Sequence, residues 1–132
     1  ATSRASGFGV NAKYLENTHA DICLVVQIES AAGLSAIEDI AAIEGVDGLF
    51  IGPGDLAGGL GHLGNSTHPD VVSAISEALT RIRSAGKAAG IFATSADAAG
   101  RYIQAGASFV SIGTDTGLLF NGASDLRKSV KL

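Results

Sequence analysis

Methionine and tryptophan are absent from the 132 residues, cysteine occurs once and proline twice. One cysteine excludes an internal disulfide framework and fits a reducing, cytoplasmic setting. Cys23 lies inside the apolar run from Ile22 to Val26 and is expected to be a small core residue. Basic blocks are missing as well: Lys and Arg number 9 against 13 Asp and Glu, a net charge of −4. Nothing therefore points to a nucleic acid or an anionic membrane as partner. No apolar run approaches the ~20 residues of a membrane span. Ala1-Thr2-Ser3-Arg4 lacks the charged-then-apolar layout of a signal peptide. Without an initiator methionine, the chain is expected to be a fragment or a processed product. What is present is 18 glycines and a 46% hydrophobic content, the profile of one soluble globular unit.

The hydrophobic pattern predicts four strand–helix units. After an irregular lead-in over residues 1–10, Asn11 is placed to cap a short helix through Glu16. Strand one is expected from about Asp21 to Glu29, its continuous apolar run suiting a parallel strand covered on both faces. Ser35-Ala36-Ile37-Glu38 has the form of a capping box, with the helix stopping at Gly45. Strand two spans 48–51, and a glycine-rich loop follows from Ala57 to Gly64. Pro69 opens a helix whose apolar stripe is Val71, Ile75, Leu79 and Ile82, closed by Gly86. Strand three is read over 87–93, a helix capped at Thr94-Ser95 follows, strand four covers 108–112, and a last helix begins near Thr114-Asp115. Such spacings suit right-handed parallel crossovers, the fold class being α/β. A (β/α)8 TIM barrel takes ~250 residues, so four units make either a small open sheet or half of a barrel.

In parallel α/β folds the ligand site lies at the carboxyl ends of the strands. Glu29, Asp55, Thr94 and Asp115 all fall at or just beyond that rim, whereas Lys87 falls at the opposite end. Glu29 and Asp55 close successive strands, one strand–helix–strand unit apart, and are the best candidate pair for a metal. Two carboxylates with waters completing the shell would give a set of hard oxygen ligands, suiting Mg²⁺ or Mn²⁺, with Co²⁺ as an alternative. The competing reading is that each carboxylate caps a helix or forms a local ion pair. Gln27 shares the pleat side of Glu29 and is a candidate to orient it. Phe92 reads equally as an apolar wall for substrate or as core. None of Lys13, Lys87, Lys128 and Lys131 ends a strand, which argues against a Schiff-base lysine. Gly59-Leu60-Gly61-His62-Leu63-Gly64 satisfies G-x-G-x-x-G, but not between a strand and its helix, so a lid or subunit-contact loop is expected instead of a nucleotide site. His19, His62 and His68 show no metal-ligand spacing; His68 is expected to take part in a helix start.

Several of these segments together resemble one family. Val26-Gln27-Ile28-Glu29-Ser30 and Gly45-Val46-Asp47-Gly48-Leu49-Phe50-Ile51-Gly52-Pro53-Gly54-Asp55-Leu56 are similar to the HpcH/HpaI aldolases. So are Leu60-Gly61-His62-Leu63-Gly64-Asn65, Ala85-Gly86-Lys87-Ala88-Ala89-Gly90-Ile91 and Gly113-Thr114-Asp115-Thr116-Gly117-Leu118-Leu119, in order and over nearly the whole chain. The resemblance implies metal-dependent aldolases that release pyruvate from 4-hydroxy-2-oxo acids, built as (β/α)8 barrels and assembled into oligomers. Residues 1–132 would be a single segment, the carboxy-terminal half of the barrel with strands five to eight. Glu29 and Asp55 match the family's metal-binding carboxylates. The loop at Gly52, Gly54 and Asp55 matches its substrate-binding turn, where backbone N–H groups of Gly54 and Asp55 would receive the substrate carboxylate. The family often has Ala or Ser where this chain has Gly54. Its histidine acid/base and substrate arginine come from the other half and match no position here; Arg4 precedes the aligned strands.

The resemblance thus implies a carbon–carbon lyase acting on a small 2-oxo acid, with a homo-oligomer or the missing amino-terminal half as partner. Two rival readings remain. One is a non-catalytic half-barrel that binds metal or oxo acid or serves assembly; the other is a related lyase acting on a CoA thioester, against which the lack of a basic patch weighs.

Overall fold

The computed structural model describes residues 3–130; Ala1, Thr2, Lys131 and Leu132, and with them one of the four lysines weighed above, lie outside the described residues. Four strands, β1 (Val25–Ile28), β2 (Gly48–Ile51), β3 (Ala88–Ala93) and β4 (Phe109–Ile112), form one parallel sheet in the order β1-β2-β3-β4. Between and around them run α1 (Tyr14–Asp21), α2 (Ala31–Ser35), α3 (Ile37–Ala41), α4 (Pro53–Gly59), α5 (Pro69–Ser84), α6 (Ala96–Gln104) and α7 (Asp115–Ser129). The consecutive strand order is that of four neighbouring (β/α) units of a barrel wall. Among the described residues no helix is long and apolar enough to cross a membrane.

Alternate strand residues point to opposite sheet faces, and here the two faces differ sharply. Ile28, Leu49, Ile51, Ala89, Ile91 and Ala93 turn toward the helices and are buried. There they meet Val71, Ile75, Leu79 and Ile82 of α5, each 0% exposed, which is the stripe expected from the sequence. Burying such a side chain contributes ~1.5–3 kcal/mol, so this layer supplies most of the cohesion. The other face is open. Cys23, Val25, Gly48, Ala88, Gly90 and Phe109 line a wholly apolar hollow of about 250 Å³ on it. Phe50 and Phe109 meet across Gly90 with ring centroids 5.6 Å apart. A Cβ on Gly90 would stand 2.6 Å from the Phe50 ring, so glycine is what lets the two rings approach.

Several local expectations need correction. Cys23 is exposed rather than core, because it belongs to the uncovered side of the sheet. Strand β1 starts at Val25, not Asp21: Asp21 completes α1, and pairing with the neighbouring strand begins only where Leu24 O accepts the N–H of Asp47 at 2.9 Å. The short helix before it starts at Tyr14 after Lys13, with no side-chain cap from Asn11. Ser30, not Ser35, caps the next helix, its Oγ accepting from Gly33 N at 3.1 Å. Glu38 closes no capping box. Arg81 of α5 grips it with two hydrogen bonds, and these hold its carboxyl down at about 2. Ala57 is not loop but helix: it is fully buried within α4, where Pro53 occupies the first turn. Lys87 directly precedes β3, and its Nζ donates to Val46 O.

Candidate metal and oxo-acid site

Glu29 and Ser30 follow β1 without a break, while Gly52 follows β2 and serves as the N-cap of α4. The printed register pairs Ile28 with Ile51, Ile51 with Ile91, and Phe92 with Ser111. One residue further toward the carboxyl ends, Glu29, Gly52, Phe92 and Ser111 therefore form a single row across the open face. Gly52 N donates to Ile28 O at 3.0 Å, which carries the strand pairing up to this row.

Within the row the contacts are specific. Gln27 Nε2 donates to Glu29 Oε2 at 2.7 Å. A Cβ on Gly52 would lie 2.7 Å from Gln27 Nε2 and 3.2 Å from Glu29 Oε2, so the missing side chain is the space the pair occupies. The φ of Gly52 is −99°, an angle any residue adopts; glycine is needed for room and not for backbone freedom. Asp55 lies in the first turn of α4, whose N-cap is Gly52. A helix N-terminus favours negative charge. Glu29 and Asp55 are both exposed and take part in no ion pair among the described residues. Gly54 is exposed too, with open space where a Cβ would be. Gln27, Glu29 and Gly52 are thus brought into contact, with Gly54 and Asp55 on the adjoining turn. Phe92 is half-buried in the same row, where it also borders a groove of about 240 Å³ between α5 and α6 together with Pro53, Thr94 and Arg101.

Other rim residues serve local ends or were not foreseen. Thr114 caps α7, and Asp115 Oδ1 takes the N–H of Thr116 at 2.7 Å. Ser111 was missed: it is a lone polar residue in an apolar strand, and only the register shows it beside Phe92. The histidines show no metal-ligand spacing in sequence, yet two of them meet in space. His62, His68 and Asp70 place their donor atoms within 4.8 Å of one another, because the chain after α4 folds back over the start of α5. Their intervals in sequence match no regular period, so the signal was invisible before the turn was known.

Residues 3–122 match the family model HpcH/HpaI aldolase/citrate lyase. The chain belongs to the HpcH/HpaI family. Over 126 residues it is 48% identical to a hydroxypyruvate/pyruvate aldolase of Pseudomonas aeruginosa, an alignment covering 96% of this chain and 47% of that protein. A 5-keto-4-deoxy-D-glucarate aldolase of Escherichia coli is 44% identical over 128 residues, covering 97% of this chain and 50% of the relative. Among solved structures, an HpcH/HpaI aldolase/citrate lyase family protein from Burkholderia cenocepacia superposes with a TM-score of 0.89 at 41% identity, covering 96% and 49% of the two chains. The chain spans about half the length of the HpcH/HpaI relatives it matches, and its four parallel units are half of an HpcH/HpaI barrel.

The Gly52 contact gives this family member a sharp test. Gly52→Ala is expected to keep the fold, since its φ is ordinary, but to push Gln27 and Glu29 out of their present positions. If Glu29 ligates an ion, disturbing the Gln27 that orients it is expected to cost ~10–100-fold in metal affinity. Mn²⁺ titration followed by electron paramagnetic resonance, beside circular dichroism, should show that loss with unchanged helical content. Equal affinity in the variant would separate Gly52 from the site.

Proposed function

We propose that the chain supplies the metal- and carboxylate-binding half of a class II pyruvate-type aldolase, a carbon–carbon lyase acting on 4-hydroxy-2-oxo acids. The observation that supports it most is the join at the rim: Glu29, oriented by Gln27, against Gly52, which opens the turn carrying Asp55. The donor set fits a hard divalent ion. Both side chains offer carboxylate oxygens only, both are exposed, and Glu29 Oε1 takes no protein donor among the described residues. Mg²⁺ and Mn²⁺ favour such sets with water and substrate oxygens completing the shell.

Glu29 and Asp55 would hold the ion, and Gln27 would keep Glu29 from turning away. Once bound, the ion would supply Lewis-acid polarisation of the substrate keto group. The backbone N–H groups of Gly54 and Asp55, in the first turn of α4, are offered to the substrate carboxylate, and the helix end reinforces that preference. Phe92, one strand over, would face the aldehyde half. The name of the Pseudomonas aeruginosa relative favours pyruvate or hydroxypyruvate as the small oxo acid, and that of the Escherichia coli relative a 5-keto-4-deoxy sugar acid as the cleaved substrate.

None of the three histidines lies in the rim row, and general acid–base catalysis typically contributes ~10²–10⁴-fold. The base and the substrate arginine are proposed to come from the other half of the barrel. With Mn²⁺ present, the chain alone should release little or no pyruvate from 4-hydroxy-2-oxo acids, and the complementary half should restore turnover. A coupled pyruvate assay on mass-verified samples reads this directly. Robust release from the chain alone would assign the base to a residue within it. Metal binding without turnover in either sample would favour the non-catalytic binding module.

A further inference from the structure

The connection from α4 to α5 carries a second cluster, separate from the carboxylate rim. It is built by successive turns: His62 N donates to Ala57 O at 2.7 Å, Asn65 N to His62 O at 2.9 Å and His68 N to Asn65 O at 3.1 Å. Thr67 Oγ1 adds a bond to Asn65 Oδ1 at 3.0 Å. These bonds bring the His62 ring onto the His68 ring, with centroids 3.6 Å apart and planes 15° from parallel. Asp70, in the first turn of α5, points at both: its Oδ2 lies 3.3 Å from His62 Nε2 and 3.6 Å from His68 Nδ1.

We propose that His62, His68 and Asp70 form a second metal site, selective for a borderline transition ion such as Zn²⁺, which clamps the α4–α5 connection. The donor chemistry distinguishes it from the rim. Two imidazoles and a carboxylate suit Zn²⁺, Ni²⁺ or Cu²⁺, whereas Mg²⁺ prefers oxygen alone. The two separations from Asp70 agree as well, and the three donor atoms lie within 4.8 Å of one another. Ligands bonded at about 2.1 Å to a tetrahedral Zn²⁺ stand about 3.4 Å apart, and the two separations from Asp70 Oδ2 bracket that value. Both histidines are half-buried and Asp70 is exposed, so the site has support on one side and an entry on the other.

Loading requires a small rearrangement. The rings are nearly parallel, so one must turn about its side-chain bonds to aim its lone pair at the ion. His68 Nδ1 also accepts the Asp70 N–H at 3.2 Å as the cap of α5. Binding through Nδ1 would pass that N–H to solvent, which the exposure of Asp70 permits.

The test uses the purified protein carrying Glu29→Gln and Asp55→Asn, so that binding at the rim does not contribute. Zn²⁺ titration by calorimetry is expected to give one site per chain, held against a large excess of Mg²⁺. Adding His62→Gln and His68→Asn should abolish it; asparagine is itself a strong N-cap, so the start of α5 survives. With Cu²⁺ as probe, electron paramagnetic resonance should show hyperfine coupling to two nitrogens, reduced to one by His62→Gln alone. No Zn²⁺ site in the rim-deficient protein, or one that persists after both histidines are replaced, would overturn the proposal. Because the rim carboxylates are already removed, neither result bears on the aldolase reading.

Discussion

Replacing Glu29 by Gln, or Asp55 by Asn, is expected to abolish Mn²⁺ and Mg²⁺ binding while leaving helical content intact. The fold should survive because neither carboxylate belongs to the core or to an ion pair among the described residues, and each substitution keeps the side-chain shape. A glutamine at 29 still presents an oxygen to the Gln27 amide, so the local hydrogen bond has a replacement. What disappears is the full negative charge that the proposed divalent ion would face. Two unit charges 4 Å apart near a protein surface interact by about 4 kcal/mol, and a ligand sits closer than that to an ion of twice the charge. Loss of about a thousandfold or more in affinity follows. Calorimetric titration measures it, and unchanged affinity in both variants would remove Glu29 and Asp55 from the metal site.

The parts of the fold legible in the sequence were those where burial alone decides. Val71, Ile75, Leu79 and Ile82 repeat at helical spacing because α5 has one face to bury, and all four are fully covered. Strands β2 and β4 were bounded closely, since glycine and polar residues flank short apolar runs. The failures lie where a second element decides. An apolar run through Ile22 and Leu24 does not reveal where pairing with β2 begins, and Ser30 and Ser35 are equally good caps until the chain is seen to turn at Glu29. Glu38 suited a capping box locally, but Arg81, which approaches only once α3 and α5 pack, takes it instead. The positions of Glu29 just past β1 and Asp55 just past β2 were legible because strand ends carry their own signal. The histidine cluster was not, because loop turns, which no periodicity records, bring its members together.

The remaining prediction concerns association. In the order β1-β2-β3-β4, the outer strands each pair on one side only among the described residues, leaving two sheet edges open. Such edges recruit further strands. The open face between them is apolar: Val25 is 40% and Phe109 56% exposed there, around a hollow with no polar lining. α7 adds to the exposed surface. None of its residues is buried, and Leu118, Leu119, Phe120 and Leu126 are each more than 70% exposed. On the helix side of β4, Ile112 remains 56% exposed as well. Apolar patches beyond ~300–600 Å² are uncommon on stable monomers, and each Å² of apolar surface left in water forfeits ~25 cal/mol. Two apolar faces and two open edges among the described residues all favour association. The chain is therefore expected to pair with a complementary half-barrel or to self-associate edge to edge. Light scattering should return a mass well above 13.2 kDa for the chain alone, and a dye that binds apolar surface should brighten in its presence. A complementary half should suppress both signals as it covers the Val25–Phe109 face. A monodisperse species near 13.2 kDa without dye binding would overturn the association prediction and show that the exposed face is tolerated by the free chain.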